Sequence, residues 1–336
     1  MQIRKLGPFT VGAIGLGCMN LSHAYGPPVS ADQAARVIGA AIEAGVDHFD
    51  TATLYGFGAN EELVGRLLKP YQAKITLASK CGMEGRPDAQ GVYRKIIDAR
   101  PSTLARQCEQ SLRRLGTDAI DLYYLHRYDR NVPIEDSVGA LGDLVRKGLV
   151  RSIGVSEVSA PILLRAHREF PISAVQTEYS LWTRNAEIAV LAAAREIGAS
   201  FVAFSPLARA FLTGALTDVS TLHAADIRRA MPRFAPDAYA ANLKLLIPFR
   251  ALAQQAGCTP AQLALAWLLA KDDGILPIAG TTSVEHLREN LAAADLALPP
   301  DIAATADALI NEQTVTGARY NAQGETEVDT ETLAPA

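Results

Sequence analysis

Cysteine is scarce in this 336-residue chain: Cys18, Cys81, Cys108 and Cys258 lie far apart, with no Cys-x-x-Cys pair. Neither a zinc site nor a disulfide framework is implied, and a reducing compartment, the cytoplasm, is the expectation. An excess of one charge is missing too. The formal net charge is −4, and Lys and Arg are scattered rather than clustered. No nucleic-acid or membrane-surface partner is expected from such a balance. No uncharged run approaches the ~18 residues of a membrane span, and Met1-Gln2-Ile3-Arg4-Lys5 lacks the apolar stretch of a signal peptide. Two common phosphate-binding devices are also absent. Gly15-x-Gly17 requires a glycine at position 20 to complete the dinucleotide fingerprint, and Asn20 stands there. No Gly-x-x-x-x-Gly-Lys-Ser/Thr loop occurs. A dinucleotide, if one binds, must be held by something else.

What the chain has is apolar residues, 49% of the total, in short runs that alternate with amphipathic stretches. Ile3–Leu6, the turn Gly7-Pro8 and Phe9–Val11 predict an N-terminal hairpin. Strands are predicted at 14–19, up to Asp50, up to Lys80, up to His126, and at 150–155, 173–177, 200–204 and 275–279. Helical patterns follow each of them. Ser30 with Gln33 offers a capping box before the face Val37, Ile38, Ala41 and Ile42. Leu104, Cys108, Leu112 and Leu115 form another helical face that stops at Gly116. Eight β-then-α units with no break in composition predict a closed (β/α)8 barrel, one domain over residues 1–336, rather than two Rossmann halves. Residues 207–259 read as a long insertion between strands seven and eight. A polar tail from about 310 is expected either to be loosely ordered or to fold back across the pocket mouth.

Four polar residues stand where, or just after, an apolar run stops: Asp50, Tyr55, Lys80 and His126. Parallel strands point their carboxyl ends the same way, so these side chains can converge on one pocket. Singly, each has an ordinary reading: a capping carboxylate, a packed ring, a salt-bridge lysine, a core histidine. Together they make a proton-transfer device. Reducing a carbonyl takes a hydride to carbon and a proton to oxygen, and a phenol, with an ordinary pKa near ~10, needs help to supply that proton at neutral pH. A nearby ammonium favours the phenolate, giving Lys80 a role, and Asp50 balances that ammonium. His126 then orients the substrate oxygen.

The segment Asp47-His48-Phe49-Asp50-Thr51-Ala52-Thr53-Leu54-Tyr55-Gly56, with Ser79-Lys80, Tyr124-Leu125-His126-Arg127, Gly154-Val155-Ser156-Glu157, Gln176-Thr177-Glu178-Tyr179-Ser180, Ser205-Pro206-Leu207 and the run from Gly280 to Asn290, resembles the aldo-keto reductase superfamily. The match runs in order over about residues 5–297, nearest the bacterial branch close to channel β-subunit-like reductases. The resemblance implies a (β/α)8 barrel that binds NADPH/NADP without a Rossmann domain, NADH being the alternative coenzyme. It assigns Tyr55 as general acid, with Lys80 and Asp50 supporting it and His126 orienting the carbonyl. Ser156 and Gln176 match positions that hold the nicotinamide carboxamide, and Phe204 the ring against the nicotinamide. Ser205, Leu207 and Arg209 match a loop around the pyrophosphate. Gly280, Thr281, Thr282, Ser283 and Arg288 match the element at the adenosine end, with Glu289 and Asn290 at the adenine. Thr282 and Glu285 are read as a capping box at that helix start, where free N–H groups favour phosphate.

Leu207-Ala208-Arg209-Ala210 departs from the more usual Leu-Gly-Arg-Gly, and two added methyl groups stiffen that loop. Expected partners are a small carbonyl or alcohol substrate and, compatibly, further copies of the chain. Tyr25, Tyr93, Trp182 and the segment Met231–Phe234 are candidate pocket walls. Two other readings stand beside the reductase: a coenzyme-sensing binding protein with little turnover, and an aldolase that uses Lys80 as a Schiff-base nucleophile.

Overall fold

The alternating pattern closes on itself. In the computed structural model, which describes residues 2–333, eight parallel strands form a closed barrel. They are β1 (Gly15–Gly17), β2 (His48–Asp50), β3 (Thr76–Cys81), β4 (Ile120–Leu125), β5 (Val150–Ser156), β6 (Ala174–Glu178), β7 (Ser200–Phe204) and β8 (Ile275–Ala279). The helices α1 (Ala31–Glu43), α2 (Ala59–Leu68), α3 (Pro101–Leu115), α4 (Ile134–Arg146), α5 (Ala160–Glu169) and α6 (Val190–Glu196) follow the first six strands. The crossover from β7 to β8 is the long one. It carries α7 (Pro236–Leu243), α8 (Leu246–Gln255) and the buried α9 (Pro260–Lys271), and β8 leads into α10 (Val284–Ala292).

Side chains alternate across each strand, so one set fills the barrel and the other meets the helices. Ala78, Leu122, Tyr124, Ala174, Val202, Leu276 and Ile278 form the inner cluster. Leu77, Tyr123, Leu125, Val175 and Phe201 join the outer core under the helices. Gly154 is small for a reason: a Cβ there would lie 2.5 Å from the Tyr124 ring that fills the barrel.

The N-terminal hairpin, Ile3–Leu6 paired with Phe9–Gly12, seals the bottom. Leu6 and Val11 enter the inner cluster, and the Arg4 guanidinium donates to the carbonyls of Leu269, Asp272 and Ile275, each at 2.6 Å. Five N–H donors in a rigid fork suit Arg to stitching together a row of carbonyls.

Four features differ from the sequence reading. The Ser30 hydroxyl accepts from the Gln33 N–H at 3.2 Å, but the Gln33 amide reaches Thr282 O at 2.6 Å, so the capping box there is only half made. Helix α10 is capped by Ser283, which accepts from His286 N, and not by Thr282 with Glu285. A second hairpin, Met83–Pro87 with Tyr93–Ile97, follows β3, closed by Asp88 accepting from the N–H groups of Gln90 and Val92. A further helix, α11 (Pro300–Leu309), follows α10. The tail folds back: Asn242 exchanges two hydrogen bonds with Thr316, and Val158 bridges to Asp329 beside the end of β5.

Candidate active site

Alternation also builds the pocket. Asp50, Lys80, His126, Ser156, Gln176 and Phe204 share the inward parity of His48, Ala78, Tyr124, Gly154, Ala174 and Val202 on their own strands, all at or near a carboxyl end except Gln176, which lies midway along β6. Tyr55 comes instead from the loop after β2. Gly56, Phe57 and Gly58 there take φ of 55°, 55° and 102°, turning the chain sharply before α2. Buried Asn60 braces the loop: it accepts from Thr51 Oγ1 at 2.6 Å and donates to Cys18 O and Ser22 Oγ at 2.9 Å.

The Lys80 ammonium sits at the centre, 1% exposed. It donates to Asp50 Oδ1, to Thr51 O at 2.9 Å and to Tyr55 Oη at 3.2 Å, which uses all three of its hydrogens. Gln176 Nε2 donates to the other Asp50 oxygen at 2.8 Å. The His126 ring stands edge-on to Tyr55, centroids 5.8 Å apart, and its buried Nδ1 has no hydrogen-bond partner.

Protonation states follow from burial and charge. Burial works against the Lys80 ammonium, yet Asp50 and Tyr55 outweigh it and hold its pKa above the ordinary value. Burial pushes the Tyr55 phenol up; Lys80 and Arg127 oppose this only in part, and Asp50 adds to it. The expected lowering of the phenol is therefore overturned: the ammonium has the expected sign of effect, but desolvation is larger. His126 is pushed well below its usual value by burial and then by Arg127, Lys80, Lys95 and His23. At neutral pH the pocket holds an ammonium, a neutral phenol and a neutral imidazole.

The other residues read from the sequence fall into three groups. Ser156 and Gln176 border the tetrad, Ser156 through Arg127 Nη1 at 3.4 Å. Phe204 packs on the inner cluster at the end of β7. Ser205, Leu207 and Arg209 begin the β7–β8 crossover. Ser205, Ala208, Arg209 and Ala210 have φ of 49°, 51°, 55° and 76°, so the alanines occupy backbone that glycine tolerates far better. Arg209 donates to Glu178 Oε2 at 3.0 Å. Gly280, Thr281, Thr282 and Ser283 lie beside β1: a Cβ on Gly280 would meet Gly17 O at 3.0 Å and Asn20 Oδ1, a buried oxygen without a partner, at 2.9 Å. Arg288 is exposed on α10, Glu289 half-buried and Asn290 buried.

The candidate walls separate. Tyr93 stacks on Phe57 at 4.9 Å, and Phe57 stands edge-on to His23, which in turn stacks against Tyr55. Tyr25 lies under the Arg228 guanidinium, away from the tetrad's own contacts. Trp182 is packed face to face with Phe211 at 4.2 Å and edge-on to Phe234, with Arg233 above it.

Sequence reasoning missed an ion cluster at the mouth. Glu157, with φ 56°, is fully buried and accepts two 2.7 Å bonds from Arg319 of the tail. Arg319 also donates to Glu178 at 3.1 Å, and Tyr320 Oη to the same oxygen at 3.3 Å. Arg209, Arg319 and Arg233 hold the Glu178 carboxyl down at about 2 despite its burial. The available signals were two acids, each following a motif residue, and one basic residue in an otherwise polar tail.

Comparison with known proteins fits this geometry. The model of the aldo/keto reductase family matches residues 13–311. The NADP(+) aldo-keto reductase yakc of Schizosaccharomyces pombe is 41% identical over 323 residues, 94% of each chain. Among solved structures, a glycerol dehydrogenase from Gluconobacter oxydans superposes with a TM-score of 0.85 at 26% identity, covering 94% of this chain and 97% of that one. An aldo-keto reductase from Klebsiella pneumoniae in complex with NADPH gives 0.72 at 28% identity, covering 95% and 98%.

Proposed function

The chain belongs to the aldo/keto reductase family, and from that premise we propose that it moves hydride reversibly between NADP(H) and the carbonyl carbon of an aldehyde or ketone, with Tyr55 exchanging the proton. The observation that carries the reading is the Lys80 ammonium held at once by Asp50, Thr51 O and Tyr55 Oη.

The residues present suit the coenzyme. Ser156 and the Gln176 amide offer hydrogen bonds to a carboxamide, and Phe204 an aromatic face to its ring. Arg209 and the left-handed turn at 208–210 suit a pyrophosphate, and the start of α10, with exposed Arg288, suits the phosphate of an adenosine 2′-phosphate. When bound, NADPH supplies the hydride.

The rest of the chemistry is the protein's own. Neutral His126 donates to the substrate oxygen and aims the carbonyl at Tyr55. Tyr55 is held protonated, so it has a proton to give as negative charge grows on that oxygen. The phenolate left behind lies 3.2 Å from Lys80, whose charge stabilises it, and Asp50 keeps that ammonium in place. For alcohol oxidation the same atoms act in reverse order.

Tyr55→Phe tests the assignment. It is expected to abolish NADPH oxidation against a panel of simple aldehydes while coenzyme binding, followed by fluorescence, persists. Retention of more than a few per cent of the wild-type rate refutes it. A coenzyme-sensing protein would instead bind tightly and turn over nothing in the wild-type form.

A further inference from the structure

One cation at the pocket is left unneutralised. His126 feels Arg127, Lys80 and Lys95. Lys80 is paired with Asp50 and Lys95 with Glu327 of the tail, but no carboxylate among the described residues lies within 4 Å of the half-buried Arg127. Its guanidinium is nonetheless fixed. Nη1 donates backwards to His126 O at 2.7 Å and across to Ser156 Oγ at 3.4 Å. That anchoring spends one nitrogen and leaves the Nε–Nη2 edge without an acceptor. Nε is buried and unpartnered. Two parallel N–H groups on one edge of a guanidinium match the two oxygens of a carboxylate or phosphate. A buried N–H without an acceptor is costly, and a ligand oxygen that meets it removes that cost. Arg127 follows His126 directly and bonds Ser156 at the carboxyl end of β5, so an anion seated on its guanidinium lies next to two residues of the pocket.

We propose that Arg127 makes this enzyme select carbonyl substrates that carry an anionic group, a carboxylate or phosphate, bound by the unpartnered Nε–Nη2 edge. The idea deepens the reductase reading and rests on it. The rings of His23, Phe57 and Tyr93 run on in contact from Tyr55, giving the uncharged body of such a substrate an aromatic face.

The test compares matched aldehydes: 4-carboxybenzaldehyde against 4-methylbenzaldehyde, and succinic semialdehyde against butanal, each with the full-length protein and NADPH. The acid in at least one pair is expected to exceed its neutral partner in kcat/KM by roughly ten- to a hundredfold, mostly through KM, because charge-assisted hydrogen bonds in a partly desolvated site have that strength. Arg127→Gln should bring the ratio of kcat/KM between each acid and its neutral partner to about one, whatever it does to the absolute rates, and Arg127→Lys should restore part of that ratio. Neutral aldehydes turned over with no preference for the acids overturn the inference but not the reductase assignment. A variant that slows acids and neutrals alike, with weaker NADPH binding, makes Arg127 a coenzyme ligand and also overturns it. If no aldehyde of either kind is reduced, the reductase reading itself has failed.

Discussion

Replacing Arg319 with methionine keeps the length of the side chain and deletes its charge. Arg319 is the only cation bonded to Glu157 among the described residues, whereas Glu178 keeps Arg209. All three partners, Glu157, Glu178 and Arg319, are less than a tenth exposed. Removing one member of a buried pair costs about 3–5 kcal/mol, because the other charge is left desolvated without compensation. The Glu178 shift gives an independent scale. A carboxyl moved from 4.5 to about 2 corresponds to roughly 3 kcal/mol, shared among three arginines. Its sign is that of a depressed acid: the stabilisation is present above pH ~4.5 and lost as pH falls towards 2.

The tail can come away without the barrel unfolding, so the loss falls on tail docking rather than on global stability. At 1.4 kcal/mol per decade, 3–5 kcal/mol corresponds to roughly a hundred- to a thousandfold or more in the open population, up to the point where the tail is fully free. Limited proteolysis at neutral pH reads this directly, as the rate of cleavage after Ile310. Arg319→Met/Glu157→Gln is expected to recover most of the protection, since the orphaned charge is gone and the amide can still accept from Glu178 N. Cleavage no faster in Arg319→Met than in the wild type, or a double variant worse than the single one, would refute the argument.

Other outcomes follow from the same geometry. kcat/KM for aldehyde reduction should stay flat from about pH 6 to 9, because Tyr55 lies above its usual ~10 and His126 well below 6.5; a transition centred near pH 7 contradicts both directions. The depressed His126 also stabilises the fold above pH ~6.5, and thermal melts should lose that contribution as pH falls below it. Ala210→Gly, at φ 76°, relieves about 1–2 kcal/mol of left-handed strain against about 0.4–1 kcal/mol of added unfolded-state entropy. A melting temperature unchanged or raised by a degree or two is expected, and a clear drop counts against the strain.

Much of the framework was legible because it rests on periodicity. β7 and β8 begin and end where the apolar runs do, and a strand end fixes which side chain faces the pocket. That is why Asp50, Lys80 and His126 converge; Tyr55 reaches Lys80 from the loop after β2, where the left-handed turn at Gly56–Gly58 places it. What failed were quantities set by three-dimensional surroundings. The net direction of the Tyr55 shift depends on burial, which no motif states. The Gln33 amide deserted its own cap because Thr282, 249 residues away, offered a carbonyl. The hairpin Met83–Ile97 is half-exposed and charged, so it lacks the alternation that marks a strand. Arg319 is the one basic residue of the polar tail, but no motif or spacing pairs it with Glu157 and Glu178, which only the folded chain brings to it.

Because Leu6, Val11 and Arg4 stopper the barrel from beneath, the cavity behaves as a well with one rim rather than a tube. Water that would re-protonate a spent Tyr55 has to arrive through the same opening that admits reactants. A molecule resting on the phenol therefore isolates it from bulk solvent, and recharging the acid waits for departure. Turnover in such a vessel is coupled to emptying it.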